Sequence, residues 1–159
     1  MILAVCSTHF QPFPRLIRQA SELARATGEE LHVQHGNTEP VPGIEARWQR
    51  WYTRAQLAEA MRAASTVVVH GGSGCIFLAL RNGVRPIAVP RLKRYGEMVD
   101  GHQLQLCSRL EDAGTIIVWH DGETAQLIRQ RIDNTSHARL PERPDLRPAV
   151  WAAAHALAG

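Results

Sequence analysis

The segment with the most chemical options is His70–Gly71–Gly72–Ser73–Gly74, directly after the apolar run Val67–Val69. Three glycines let a backbone turn sharply and come close to a ligand. A helix starting here presents free N–H groups and the positive end of its dipole, which together suit a phosphate. Ser73 adds a hydroxyl and His70 an imidazole. The segment lacks the GK[ST] ending of a P-loop and does not fit GxGxxG. By itself it also reads as a tight strand-to-helix turn around a packed histidine. A second polar segment runs from Arg94 to Gln103. Asp100 stands where a helix cap belongs, and His102 and Gln103 fall in the first turn after it. Glutamine both donates and accepts, which suits sugar hydroxyls; a solvated, well-capped loop is the alternative. The third is Ser7–Thr8–His9, after the first apolar run. Its hydroxyls and imidazole can touch a phosphate or act as acid and base, or simply cap a proline-started helix.

Other chemistries find no support. His32, His35, His120, His137 and His155 show no ligand spacing. HExxH, a Ser-His-Asp elbow and clustered Cys/His patterns are missing, so no metal or hydrolase site is read. No Asp-x-Asp pair suggests a sugar nucleotide held through a divalent metal. Trp48 and Trp51 either stack on a base or pack in the core, and core packing is the preferred reading.

These segments need elements to position them. Ile2–Val5 is a first strand, followed after Pro12 and Pro14 by the helical stripe Leu16, Ile17, Ala20, Leu23, Ala24, ended by Gly28. Leu31 and Val33 suggest a second strand, and Ile44, Ala46 and Trp48 a third. Thr53 and Gln56 form a capping box that opens a helix through Leu57, Ala60 and Met61. Val67–Val69 is a buried strand, Ile76–Arg81 a helix and Ile87–Val89 the next strand. Leu104, Cys107 and Leu110 mark another helix, Thr115–Trp119 a strand, and Ala125–Ile132 a helix. A proline-rich stretch leads to a final helix, Ala149–Leu157.

Alternation of strands and helices predicts an α/β, Rossmann-like parallel sheet of about six strands with helices on both faces. In such sheets ligands sit at the carboxyl ends of the strands, where all three polar segments fall. Residues 1–133 form the nucleotide-binding domain in this reading, and 134–159 a proline-rich tail with a C-terminal helix.

The composition sets outer bounds. The chain has 159 residues, 45% hydrophobic and 21% charged, which fits one globular domain and excludes a disordered chain. A net charge of +3 is too mild for a dedicated nucleic-acid binder. Lys93 is the only lysine, so the positive charge is nearly all arginine. Cys6, Cys75 and Cys107 are widely spaced and odd in number, which excludes a disulfide framework and points to a reducing, cytoplasmic compartment. Met1–Cys6 has no basic n-region and reads as a strand rather than a signal peptide.

Three features occur together: the histidine–glycine loop after a valine strand, the run "RNGVRPIAVPR", and the run "RYGEMVDGHQLQL". In that conjunction the chain resembles the C-terminal, donor-binding half of the family 28 glycosyltransferases of GT-B fold. It is most similar to their small stand-alone subunits: the bacterial exopolysaccharide type called PssE, and the cytosolic catalytic subunit of the dolichol-linked N-acetylglucosamine transferase. The similarity covers residue 2 to about 132, and "STHFQPFPRLIR" resembles the "GTHxQPFDRL" opening of bacterial members.

The resemblance implies a UDP-sugar donor whose diphosphate rests on His70, Gly71, Gly72, Ser73 and Gly74. It implies that His102 and Gln103 contact the donor sugar, that Glu97 and Asp100, in the adjoining stretch written "GEHVDDHQ" in relatives, are substrate-binding as well, and that Thr8 and His9 face the donor. His9 is then the candidate general base. The chain departs from relatives at Leu78, where an acidic residue is usual, and at Met98, Gly101 and Ser7. The implied activity is metal-independent hexosyl transfer from a UDP-sugar to a lipid-linked acceptor, needing no cofactor. It requires a membrane-anchored partner subunit that supplies the acceptor half, at the inner face of the membrane; a homodimer is an option for the isolated chain. The alternative is a non-catalytic nucleotide-sugar-binding or regulatory module.

Overall fold

The computed structural model describes residues 1–6, 8, 10–98 and 102–136. It contains β1 (Ile2–Val5), α1 (Pro14–Thr27), β2 (Leu31–Gln34), β3 (Arg47–Gln49), α2 (Arg54–Ala63) and β4 (Thr66–His70). It continues through α3 (Ser73–Arg81), β5 (Ile87–Val89), a 3₁₀ turn (Lys93–Tyr95), α4 (His102–Asp112), β6 (Ile117–Val118) and α5 (Ala125–Ser136). The strands form one six-stranded sheet in the order β3-β2-β1-β4-β5-β6, parallel throughout. This is the doubly wound arrangement: the chain winds outward from β1 to β3, returns to the other side of β1, and winds outward again to β6.

Strand pleating explains the two-sided core. Ile2, Ala4 and Cys6 face one side with α1 and α5; Leu3 and Val5 face the other with α2, α3 and α4. The α1 stripe Leu16, Ile17, Ala20, Leu23 and Ala24 is buried as its spacing predicts, and Gly28 ends the helix in the left-handed region at φ 69°. Each fully buried Leu or Ile in these layers contributes about 1.5–3 kcal/mol. The Thr53–Gln56 capping box is present in both directions.

The differences from expectation lie at edges and helix starts. β3 covers only Arg47–Gln49, and Ile44 and Ala46 pack against the core without joining the ladder. It is an edge strand with a single neighbour, β2. β6, the other edge, is confined to Ile117–Val118. α3 begins three residues earlier than the apolar pattern indicates, directly from the glycine loop. In α4 the buried stripe is Leu106, Cys107 and Leu110, whereas Leu104 is 45% exposed. α5 runs past residue 133 to Ser136. The expected helix Ala149–Leu157 lies outside the described residues. No helix among the described residues is long and apolar enough to cross a membrane.

Candidate nucleotide-sugar site

The sheet order reverses between β1 and β4, so the loops leaving these two strands diverge and open a crevice at their carboxyl ends. A cleft of about 590 Å³ lies there. Thr8 from the loop after β1, Gln34 at the end of β2, Trp51, Tyr52 and Arg54 after β3, and His70, Gly72, Ser73, Gly74, Cys75 and Leu78 after β4 line it. Its size falls in the range of small-ligand sites, about 300–1,000 Å³. Another cleft of similar volume, about 610 Å³, opens near the amino ends of β2 and β3 between Arg25, Glu29, Glu30, Glu45 and Arg47. It lies away from the switch point, and its Glu29 and Glu30 carboxylates are paired with the chain's own amino terminus and Arg47.

The glycine loop owes its shape to close contacts. His70 is 8% exposed and its ring folds over Gly72, so a Cβ on Gly72 would overlap its Nε2 and come within 2.7 Å of its Cδ2. Gly71 passes so near α4 and the end of β5 that a Cβ would lie 2.9 Å from Cys107 Sγ, 3.0 Å from Pro90 Cα and 3.2 Å from Gln103 Oε1. At Gly74 no atom stands within 4 Å of an added Cβ. Packing excludes side chains at the first two glycines; the third faces open space in the cleft.

Gly72 caps α3 with extended backbone and no side-chain hydrogen bond, and the first helical bond of this turn runs from the Ile76 amide to the Gly72 carbonyl at 3.3 Å. The N–H groups of Ser73, Gly74 and Cys75 therefore precede the helical ladder, at the positive end of a nine-residue helix. That arrangement suits an anion. The cleft thiols are poor nucleophiles: burial pushes Cys75 up to about 11 and Cys6 up to about 12.

The two tryptophans separate. Trp48 packs against the core with its ring edge-on to His35 at 6.1 Å, as the preferred reading holds. Trp51 is 37% exposed and forms a wall of the cleft. No motif or spacing in the sequence marks Tyr52 and Arg54. They reach the site because β3 ends beside β2, a placement with no local signal.

The described residues of the segment 94–103 lie off the cleft lining, and Gly96 and Glu97 contact Gln11 and Arg15 in the stretch after β1. Gln103 accepts from the Arg91 amide through Oε1 at 3.1 Å, and its Nε2 lies 3.6 Å from Met98 Sδ. Glu97 is buried and receives a two-pronged ion pair from Arg15, Nε to Oε1 at 3.0 Å and the guanidinium Nη2 to Oε2 at 2.8 Å. It does not line the cleft. His102 opens α4. His9, Asp100 and the side chain of His102 lie outside the described residues. Among the described residues no group of three or more His, Cys, Asp or Glu side chains is placed to hold a metal ion.

The model of the glycosyltransferase family 28 C-terminal domain matches residues 1–144. The chain belongs to that family. Solved structures similar to this family 28 domain include the glycosyltransferase SnogD from Streptomyces nogalater, at 20% identity and TM-score 0.57, with 99% of this chain and 43% of that one covered. CalG4, the calicheamicin glycosyltransferase, is similar at 17% identity and TM-score 0.58, over 98% of this chain and 38% of that one. The solution structure of ALG13 is similar at 14% identity and TM-score 0.58, over 94% of this chain and 92% of that one. The chain thus spans less than half of the two larger glycosyltransferases and nearly all of ALG13. Its fold is that of half a GT-B glycosyltransferase. No curated protein matches the chain.

Proposed function

We propose that this domain binds the UDP-sugar donor of a glycosyltransferase and transfers the sugar to a lipid-linked acceptor together with a membrane-anchored partner subunit, at the cytoplasmic face of the membrane. One observation carries the reading: the uncapped start of α3 and its glycine loop meet the loop after β1 in a cleft at the switch point of the sheet. In this proposal the N–H groups of Ser73, Gly74 and Cys75 hold the diphosphate, and His70, Gly71 and Gly72 shape the loop beneath it. Stabilising a departing diphosphate by preorganised N–H dipoles is electrostatic and asks no metal of the protein. Trp51 offers a flat wall for the base and Thr8 a hydroxyl from the opposite loop. His102, Gln103 and Asp100 are assigned to the donor sugar. His9, between Thr8 and Phe10 on the loop bordering the cleft, is assigned as the base that takes the acceptor proton.

In this proposal the partner supplies the half of a GT-B fold that lies outside the region of similarity, since the chain covers 43% of SnogD. Phe10 is 75% exposed on the loop after β1. A second reading, a nucleotide-sugar-binding module without transfer, is favoured by Leu78, which brings an aliphatic side chain into the cleft.

Calorimetric titration with UDP tests the proposal. The wild type is expected to bind, and His70→Ala to bind at least tenfold more weakly. Sugar transfer by the domain mixed with its membrane partner then separates enzyme from module: His9→Asn should abolish turnover while leaving UDP affinity intact. Absence of UDP binding both alone and with the partner would refute the proposal.

A further inference from the structure

We infer that Glu97 is a positioning residue rather than a donor ligand: with Arg15 and Arg91 it clamps the loop after β5 onto the start of α1, and so fixes Gln103 behind the glycine loop. The inference rests on the donor-site reading above and replaces the substrate-binding role that the resemblance implies for Glu97.

The loop from Pro90 to Met98 contains one 3₁₀ turn and makes few backbone bonds of its own. Its order comes from three side chains. Besides the two bonds from Arg15, Oε2 of Glu97 accepts from the Leu92 amide at 3.0 Å. The second prong of Arg15 also donates to the Pro90 carbonyl at 2.7 Å. Arg91 is 1% exposed and spans the two loops, donating to the Glu97 carbonyl at 3.2 Å and to the carbonyls of Pro12 at 3.3 Å and Gln11 at 3.0 Å. Its guanidinium stacks over the Phe13 ring at 4.4 Å. The Arg91 amide in turn holds Oε1 of Gln103, the atom that would stand 3.2 Å from a Cβ on Gly71. The contacts therefore run unbroken from α1 through Glu97 and Arg91 to Gln103 and the glycine loop.

A buried ion pair is weak evidence for stability, because desolvation offsets the attraction and an apolar pair of similar volume serves as well. What apolar side chains cannot reproduce is direction. The carboxylate has its hydrogen bonds taken up by Arg15 and by the chain's own Leu92 amide, in a site closed to solvent and off the cleft lining.

The test uses Glu97→Gln and the double variant Arg15→Met/Glu97→Leu, which removes both charges. Hydrogen exchange and UDP calorimetry are measured on both. We expect the Arg91, Leu92 and Gly71 amides to exchange about tenfold faster, the β1 and β4 amides to be unchanged, and UDP to bind about fivefold more weakly. Wild-type exchange at those three amides and wild-type UDP affinity in a folded double variant would overturn the clamp. Unchanged UDP binding with selectively weakened UDP-sugar binding would restore Glu97 as a sugar ligand. If the wild type itself fails to bind UDP, the donor reading falls, and the exchange rates still decide the clamp. Should the double variant not fold, the same comparisons are made on Glu97→Gln.

Discussion

Gly72→Ala isolates the geometry on which the site depends. The Gly72 backbone is extended, φ −84° and ψ 138°, so alanine meets no conformational strain there. The whole effect comes from the added methyl, which would overlap the His70 ring and approach its Cδ2 within 2.7 Å. The ring is 8% exposed and has little room to retreat. Forcing one extra carbon into a packed site of this kind costs about 1–3 kcal/mol. For a domain of this size that lowers the melting temperature by roughly 2–4 °C per kcal/mol. Adding His70→Ala removes the clashing ring, so the double variant should regain most of the stability, with a coupling of about 1–2 kcal/mol in the cycle. UDP affinity should fall at least tenfold in Gly72→Ala and should not return in the double variant, because the imidazole is then absent. Melting curves and calorimetry on the four proteins suffice. A Gly72→Ala protein that melts and binds like the wild type would refute the packing of His70 over the loop, and with it the preformed anion site.

Gly74 should behave in the opposite way. Nothing stands within 4 Å of its added Cβ, and alanine is the better helix former by up to about 1 kcal/mol. Gly74→Ala is therefore expected to melt at or slightly above the wild-type temperature yet bind UDP about tenfold more weakly, since the methyl enters the cleft; unimpaired binding would place the diphosphate elsewhere. Glu111 carries a pH prediction. Burial raises its pKa, but the Val118 amide, His120 and Arg131 outweigh that and leave it below the ordinary glutamate value. A carboxylate depressed in the folded state adds stability that is fully present above the unfolded value and is lost as pH falls through the folded one. Glu111→Gln should flatten the acid limb of stability below the ordinary glutamate range and lower stability at neutral pH, read by melting temperature against pH.

The chain's pattern of residues carried the layers. Apolar runs such as Ile2–Val5 and Val67–Val69 are too short for buried helices, and the α1 stripe has helical period, so a parallel α/β sheet followed from burial alone. The glycine loop was legible for the same reason: a buried strand that runs into three glycines must turn tightly before the next helix. Edges were harder. The β3 run Ile44–Trp48 alternates like a strand, yet a strand with one neighbour is held by half the ladder, and only Arg47–Gln49 pairs.

The sequence by itself determined that a glycine loop ends a buried strand, which helices flank it and which family the chain resembles. Tertiary structure alone decided what surrounds that loop. Trp51 and Trp48 are three residues apart and of one type, but the strand end at Gln49 turns one to the cleft and leaves the other against the core. Glu97 stood in a polar, exposed-looking segment, and its partner Arg15 is 82 residues away in sequence. No local propensity encodes such a pair. It exists because the doubly wound sheet sets the loops after β1 and β5 on either side of β4, where two buried charges can meet only when both loops are in place.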